Sequence, residues 1–454
     1  MSSSFSGLTN ALASLNAQSY ALSVTGDNIA NANNPGYTRQ RANLTEVGPT
    51  VGVSAMYATP AVTGGGVTSS GASRLNDPVL DSRARAEHGQ NGMAQTAQAT
   101  LSNVEGLFDE PSSTGLSEQL NDFWNAWSAV ANNPGGNAGA AARSVVLQKS
   151  AGIANSLNAT SAALGRVMDG TSLQLANSVQ QVNSAAAGLA QVNGAIAIAT
   201  ATGSDVNSLA DQRDTLLLQL SDLTGGSATL QADGTATVVV GGQTLVAGTT
   251  TNAAALDATN QLTVGGAPTS GTTGSVGGLL DAVNNVLPDY ASQLDAVASA
   301  LASTVNSAQM SGYDLAGNPG GPLFTGTTAG SITVAVTDPT KLAASGTPGG
   351  NFDAFIAQKI AGFGSLSGGA NEAYSSLVGN IGTQVQGATQ RAVIQQSVTT
   401  NVDKMVQSQS GVSFDEETTN LLTYQRSYQA SSRVLTTVDD MLDTLINRTG
   451  KVGL

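Results

Sequence analysis

The sequence contains no cysteine and a single histidine, His88. The first absence excludes disulfides, thiolate metal sites and cysteine nucleophiles. The second makes any catalytic triad, imidazole zinc site or histidine base depend on one residue. That residue sits between Glu87 and Gly89 in a polar segment, which predicts a solvated surface side chain without a catalytic role. Charge is scarce as well: 11% of the 454 residues are charged, well under the roughly 25% of an average soluble protein. The 17 basic residues are spread thinly among 31 acidic ones, for a net charge of −14, and form no basic stripe. Nucleic-acid binding therefore has no electrostatic source. Aromatics make up 4%, too few to fill a wide globular core. No apolar run reaches the ~18–20 residues of a membrane span, so no membrane insertion is expected. Met1-Ser2-Ser3-Ser4-Phe5 lacks the basic region of a cleaved secretory signal, so a protein leaving the cell would use another route.

Small residues take the place of charge. Alanine, serine, threonine, asparagine, glutamine and 53 glycines favour slender helix pairs and small β units. At the N-terminus Phe5, Leu8, Leu12, Leu15, Leu22 and Ile29 recur at alternating steps of three and four, with Ser19 and Gly26 on the same stripe. This is the seam of a coiled coil. It stops at Asn33-Asn34-Pro35-Gly36, a helix stop and turn. The C-terminus carries a matching stripe of Phe414, Leu421, Tyr424, Tyr428, Leu435, Val438, Leu442 and Leu445, broken at Glu417 and Ser431. Ser413 with Glu416 three residues on suggests a capping box. The two stripes are expected to pair with each other and to meet neighbouring copies with the rest of their surface.

Between the ends the pattern is helical. Arg143 to Thr200 is free of proline, with apolar residues from Ile153 through Leu175 and Val182 to Ile196. Unbroken, it would be about 87 Å long at about 1.5 Å per residue, with five glycines as candidate bends. Further helices are predicted over Asp205–Leu223, Asp289–Gln309 and Ala370–Ser408. Short strands and tight turns are predicted in 226–274, around Asp233-Gly234 and Gly241-Gly242, with another β patch at Ile332–Val336. Gly48–Gly71 reads as an extended linker with some β pairing. The fold class is thus mainly α, with terminal helices pairing as a coiled coil, a long helical rod core and a small β insertion. The expected divisions are 1–45 with 412–454, 46–225 with 276–411, and 226–275, to which 322–350 is a candidate addition.

No convergent polar cluster suggests catalysis, a metal or a cofactor. Asp439, Asp440 and Asp443 lie beside the apolar stripe, where solvated charges belong. Asp415, Glu416 and Glu417 sit in a first helical turn and face the helix dipole favourably. Gly64-Gly65-Gly66 lacks the Lys-Ser/Thr of a phosphate loop. Phe123, Trp124 and Trp127 read as local core packing.

Leu15-Asn16-Ala17 and Gly26-Asp27-Asn28-Ile29-Ala30-Asn31 resemble the N-terminal motif of bacterial flagellar rod, hook and hook-associated proteins. The turn Asn34-Pro35-Gly36-Tyr37-Thr38-Arg39-Gln40 is similar to that of the hook-associated protein 1 family. Gly411 to Gln425, Tyr428 to Leu435, Asn132-Asn133-Pro134, Ala210 to Asp214, Leu294–Asn306 and Gly312 to Gly317 agree with it. Phe123-Trp124 followed by Trp127 departs from it, and the insertion is short.

The resemblance implies a structural subunit at the junction of flagellar hook and filament, outside the cell. Its implied partners are its own copies in a ring, hook protein, the next hook-associated junction protein (type 3) and an export chaperone on the C-terminal helix. It implies unfolded passage through the flagellar type III channel. The narrow apolar seams suggest ends that fold only when a neighbour covers them. Competing readings are a hook or rod subunit, an axial protein carrying a muramidase or protease, and an adhesin using the β insertion.

Overall fold

The computed structural model describes residues 2–47, 66–349 and 353–444. In chain order it begins with α1 (Ser2–Ala30), β1 (Gln40–Glu46), β2 (Val67–Arg74), α2 (Pro78–Glu105), α3 (Leu116–Asn132), α4 (Gly136–Thr202) and α5 (Asn207–Thr224). A β segment follows: β3 (Ser227–Leu230), β4 (Ala236–Val240), β5 (Gln243–Ala247), β6 (Thr250–Thr251), β7 (Ala254–Leu256), β8 (Leu262–Val264) and β9 (Ala267–Pro268). The chain then returns to helix through α6 (Gly274–Asp281) and α7 (Leu287–Met310). It closes with β10 (Phe324–Thr325), β11 (Thr333–Val334), α8 (Phe355–Ala361), α9 (Ala370–Ser410) and α10 (Phe414–Asp443).

The 67 residues of α4 run unbroken through all five glycines expected to bend them, about 100 Å at about 1.5 Å per residue. The helix stops at Gly203, whose φ of +68° gives the left-handed cap that glycine adopts without steric penalty. Part of α4 reaches a mean hydropathy of 1.2, the range of a marginal membrane span. Its apolar side is occupied within the chain, however: Val146, Ile153, Leu157 and Leu164 enter one core and Leu175, Val179, Val182 and Leu189 another.

The first core is the helical body. There α3 brings Leu120, Phe123, Trp124 and Trp127 against Tyr290, Leu294 and Leu301 of α7 and Tyr374, Leu377 and Ile381 of α9. Phe123 meets both indoles edge-on, at 4.7 and 6.4 Å between ring centres. The indole N–H of Trp124 donates to Asn371 Oδ1 at 2.8 Å, so one side chain ties α3 to the start of α9.

The second core lies under the β segment. β3-β4-β5-β6 and β7-β8-β9 form two antiparallel sheets, with Val238, Val240, Leu245, Leu262 and Val264 turned toward α4, α5 and α6. Asn193 of α4 ties sheet to helix: its amide donates to the carbonyls of Ala236 and Gly248, and its oxygen accepts from Ala236 N–H. Residues 322–349 pack elsewhere. Leu323, Phe324, Ile332 and Leu342 join the core of the body and not that of the β segment.

The third apolar cluster is small: Ala21, Val24 and Ala42, flanked by Tyr20, Leu44, Ala72 and Tyr424. It holds α1, α10 and an antiparallel ribbon of β1 and β2 together as a terminal unit. The ribbon begins nine residues after the end of α1, in a stretch the sequence pattern did not mark as a strand. Most of the expected 48–71 linker, like Phe5's side chain and Leu445, lies outside what is described.

Candidate assembly surface

The register of the terminal pair follows from three contacts. Asn28 Nδ2 donates to Glu417 Oε2 at 3.1 Å, and Ser14 and Ser431 share a hydroxyl hydrogen bond of 2.9 Å. Midway, Ala21 packs in one cluster with Tyr424. Each contact lies seven residues along both chains from the last, in opposite directions, so α1 and α10 run antiparallel with heptad-spaced contacts. The C-terminal stripe lies on this seam. Leu421, Tyr424, Leu435, Val438 and Leu442 are each half-buried, while Tyr428 is more open at 40% exposure. Its two polar interruptions are the residues that make the inter-helix hydrogen bonds.

On α1 the contact line runs one residue earlier than the leucine stripe. Ala11, Ala17, Ala21, Val24, Thr25 and Asn28 are buried. Leu8, Leu15, Leu22 and Ile29 are only partly covered, and Leu12 is 52% exposed. Small side chains let the helix backbone approach its partners closely, so the inner position goes to alanine. The leucines are displaced to the flank. With Phe414, Leu422, Val434 and Met441 exposed along α10, the terminal unit leaves several large apolar side chains open to its surroundings.

At its base the unit is fastened by polar groups. Glu417, 2% exposed, accepts from Arg39 Nε at 2.8 Å as well as from Asn28, and Arg39 Nη1 reaches Glu416 at 2.6 Å. Ser413 caps α10 through Glu416 N–H, but the Glu416 carboxylate turns to Arg39 and does not close the reciprocal box. Asn28 exchanges two hydrogen bonds with the Gln40 backbone and accepts from the Tyr37 hydroxyl at 2.8 Å. Burial, with Asp27 nearby, pushes the Tyr37 phenol up to about 12, so it remains a donor. Asn34 caps the turn by accepting from Tyr37 N–H through its carbonyl. Gly36 follows Pro35 at φ +84°, where a Cβ would stand 2.7 Å from Thr215 Oγ1 of α5. The turn therefore needs glycine both for its backbone and for its approach to the body.

The body answers with Asp211 and Asp214 of α5. Arg74 Nη2 bonds Asp214 at 2.6 Å, and its Nε lies 2.9 Å from Asp211 Oδ1 but off the N–H axis, an ion pair and not a hydrogen bond. Asn207 donates to Gln40 Oε1 and to the Ala72 carbonyl. Arg213, which sequence patterning left without a role, is buried with its guanidinium on Asp214 and the Gly234 carbonyl. Three sequence motifs far apart in the chain thus meet at one node.

His88 departs from its expectation. Its ring lies between Asp222 of α5 at 2.9 Å and Asp403 of α9 at 3.0 Å, with the side chain 18% exposed. The hydrogen bond to Asp222 is the largest influence, and it and Asp403 raise the imidazole to about 9 against partial desolvation. At neutral pH His88 is an imidazolium joining three helices. Among the described residues no group of three or more His, Asp or Glu side chains is arranged to hold a metal.

The comparisons with known proteins fall on the same segments. Residues 101–324 match the helical domain of the flagellar hook-associated protein FlgK, 8–38 the flagella basal body rod protein model, and 398–448 the C-terminal model of FlgEFG basal body rod proteins. Flagellar hook-associated protein 1 of Bacillus subtilis is 31% identical, with all of both chains covered. The chain belongs to the flagellar hook-associated protein 1 family. The Escherichia coli member is 26% identical over 97% of this chain and 99% of its own. The flagellar hook junction protein FlgK of Burkholderia pseudomallei has the same fold, with a TM-score of 0.63 over 72% of this chain and all of its own, at 17% identity. The chain is a structural component of the flagellum, and the family models match most of the terminal helices and the segment that runs from α3 through the β segment to α7.

Proposed function

We propose that the protein forms the junction between flagellar hook and filament, assembling as a ring of its own copies through the terminal unit. The observation that carries this reading is the displaced leucine stripe. Leu8, Leu12, Leu15, Leu22 and Ile29 on α1, with Leu421, Tyr424, Tyr428, Leu435, Val438 and Leu442 on α10, outline a surface only partly satisfied within one chain. Neighbouring subunits supply the missing cover, and burial of each such leucine is worth roughly 1.5–3 kcal/mol. Hook protein meets the assembled ring on one side and the type 3 hook-associated protein on the other. Before assembly the same surface is held by an export chaperone on α10, and the chain leaves through the flagellar type III channel.

The absence of cysteine suits passage as an unfolded chain, and scarcity of charge suits close packing among copies. The test is complementation of a strain lacking the protein with Leu12→Asp or Leu435→Asp. Filament growth and the protein's presence in purified hook–basal bodies should both be lost, while the purified variant keeps a folded body. Normal filaments with either variant would overturn the reading. Hydrogen exchange gives a second measure: amides of Leu8–Leu22 and Leu421–Leu442 should exchange more slowly in the assembled ring than in the monomer.

A further inference from the structure

Among the described residues no apolar cluster joins the terminal unit to the body. Its own core of Ala21, Val24 and Ala42 shares no residue with either of the other two. Three chain crossings connect the parts, at residues 31–39, 75–77 and 411–413, and the seam between them holds the close approach of Gly36 to Thr215, the Asn207 hydrogen bonds and a cluster of charge. Arg74, the last residue of β2, belongs to the terminal unit, and Asp211 and Asp214 belong to the body.

Asp214 is shared unequally. Its Oδ1 is held by Arg213 through two N–H groups at 2.8 and 2.9 Å, a contact within α5 that moves with the body. Its Oδ2 is the oxygen that Arg74 reaches across the seam at 2.6 Å. A second guanidinium lies beside it. Arg85 of α2 makes no hydrogen bond or ion pair with any described residue, although it is within electrostatic range of Asp81 and Asp214. It lines two adjoining cavities, one of about 200 Å3 with Tyr37, Arg74 and Asp214, the other of about 220 Å3 with Asp81 and Asp214. A partly desolvated cation next to open space and an acceptor held by another cation is poorly placed unless its partner is sometimes released.

We propose that the seam is a two-position ionic hinge in which Arg74 and Arg85 compete for Asp214 Oδ2 and so hold two discrete tilts of the terminal unit. In the present position Arg74 has the oxygen and the unit is drawn onto α5. In the other, the unit swings outward on its three connections, Arg74 enters water and Arg85 moves across the cavity to take its place. Asp214 keeps a guanidinium in both positions, and Arg213 keeps it aimed into the seam. The outward swing gives up the Arg74–Asp211 ion pair and the Asn207 hydrogen bonds to Gln40 and Ala72, so the present position is the favoured one while Arg74 is intact. Copies in a ring could then meet differently tilted neighbours above and below without unfolding any helix.

The cysteine-free sequence makes the test direct. Spin labels on Thr68→Cys in the ribbon and Gln90→Cys in α2, both exposed, report the tilt through their distance distribution in the full-length protein. The doubly labelled parent should give one narrow population. Arg74→Gln should move the distribution to a second narrow one, and Arg74→Gln with Arg85→Gln should leave a broad one. An unchanged distribution in Arg74→Gln, or equal broadening with and without Arg85, would overturn the hinge. Arg85→Gln alone supplies a readout that does not depend on Arg74: the parent distance should persist with no fall in melting temperature. A fall matching that of Arg74→Gln would mean that Arg85 already supports the present position, and would also overturn it.

Discussion

Raising the pH should weaken the helical body through His88, in a direction its surroundings determine. The imidazolium donates to Asp222 and Asp403 at once, and once neutral it keeps a single N–H, leaving one carboxylate against a ring lone pair. Its folded value is about 9, raised from 6.5. A group raised on folding contributes stability that is complete below its unfolded value and lost as pH climbs through the folded one. The window is therefore pH 6.5 to 9. At about 1.4 kcal/mol per unit the shift corresponds to roughly 3 kcal/mol, but both carboxylates are nearly half exposed, and solvent screening reduces this to about 1–2 kcal/mol. As the only histidine, His88 gives one imidazole Cε1–H resonance, whose titration needs no assignment. The expected midpoint lies well above 8, and the stability difference between parent and His88→Gln, from urea denaturation, should shrink toward zero as pH rises from 6.5 to 9. A midpoint at or below 6.5, or a difference that grows with pH, would refute the bridged imidazolium.

Glu417→Ala leaves Arg39 and Asn28 without their shared acceptor and should destabilise the terminal pair by about 3 kcal/mol, the low end for a broken buried ion pair because Arg39 is partly exposed; faster hydrogen exchange across residues 414–424, with the body unchanged, is the expected reading. Gly36→Ala places a Cβ against Thr215 at a positive φ and should cost about 1–3 kcal/mol, seen as loss of protection at the turn and reduced incorporation into hook–basal bodies. Trp127→Ala empties a fully buried site in the body and should cost about 3–5 kcal/mol in urea denaturation, leaving Trp124 as the fluorescent reporter.

Much of the scaffold was legible from spacing. The proline-free run through Arg143–Thr200 became most of α4, and predicted helices over Asp205–Leu223, Asp289–Gln309 and Ala370–Ser408 match α5, α7 and α9 within two residues at either end. The turns at Asp233-Gly234 and Gly241-Gly242 were equally readable, since all three glycines adopt positive φ. The α1 seam was misplaced by one residue because hydrophobicity marks leucine over alanine, whereas close helix approach favours alanine. His88 was misread because its neighbours in sequence are not its neighbours in space: Asp222 and Asp403 come from two other helices.

The sequence by itself determined that the chain is mainly helical, that its ends carry matching apolar stripes, and that it resembles the hook-associated family. Those properties reside in local periodicity and in short contiguous motifs. Tertiary structure alone decided which face of α1 turns inward and which residue each interrupting polar group meets. Glu417 looked like a flaw in a stripe until Asn28 and Arg39, nearly four hundred positions away, were brought beside it. Charge pairing across such separations depends on where the backbone places each group, and no local spacing encodes that.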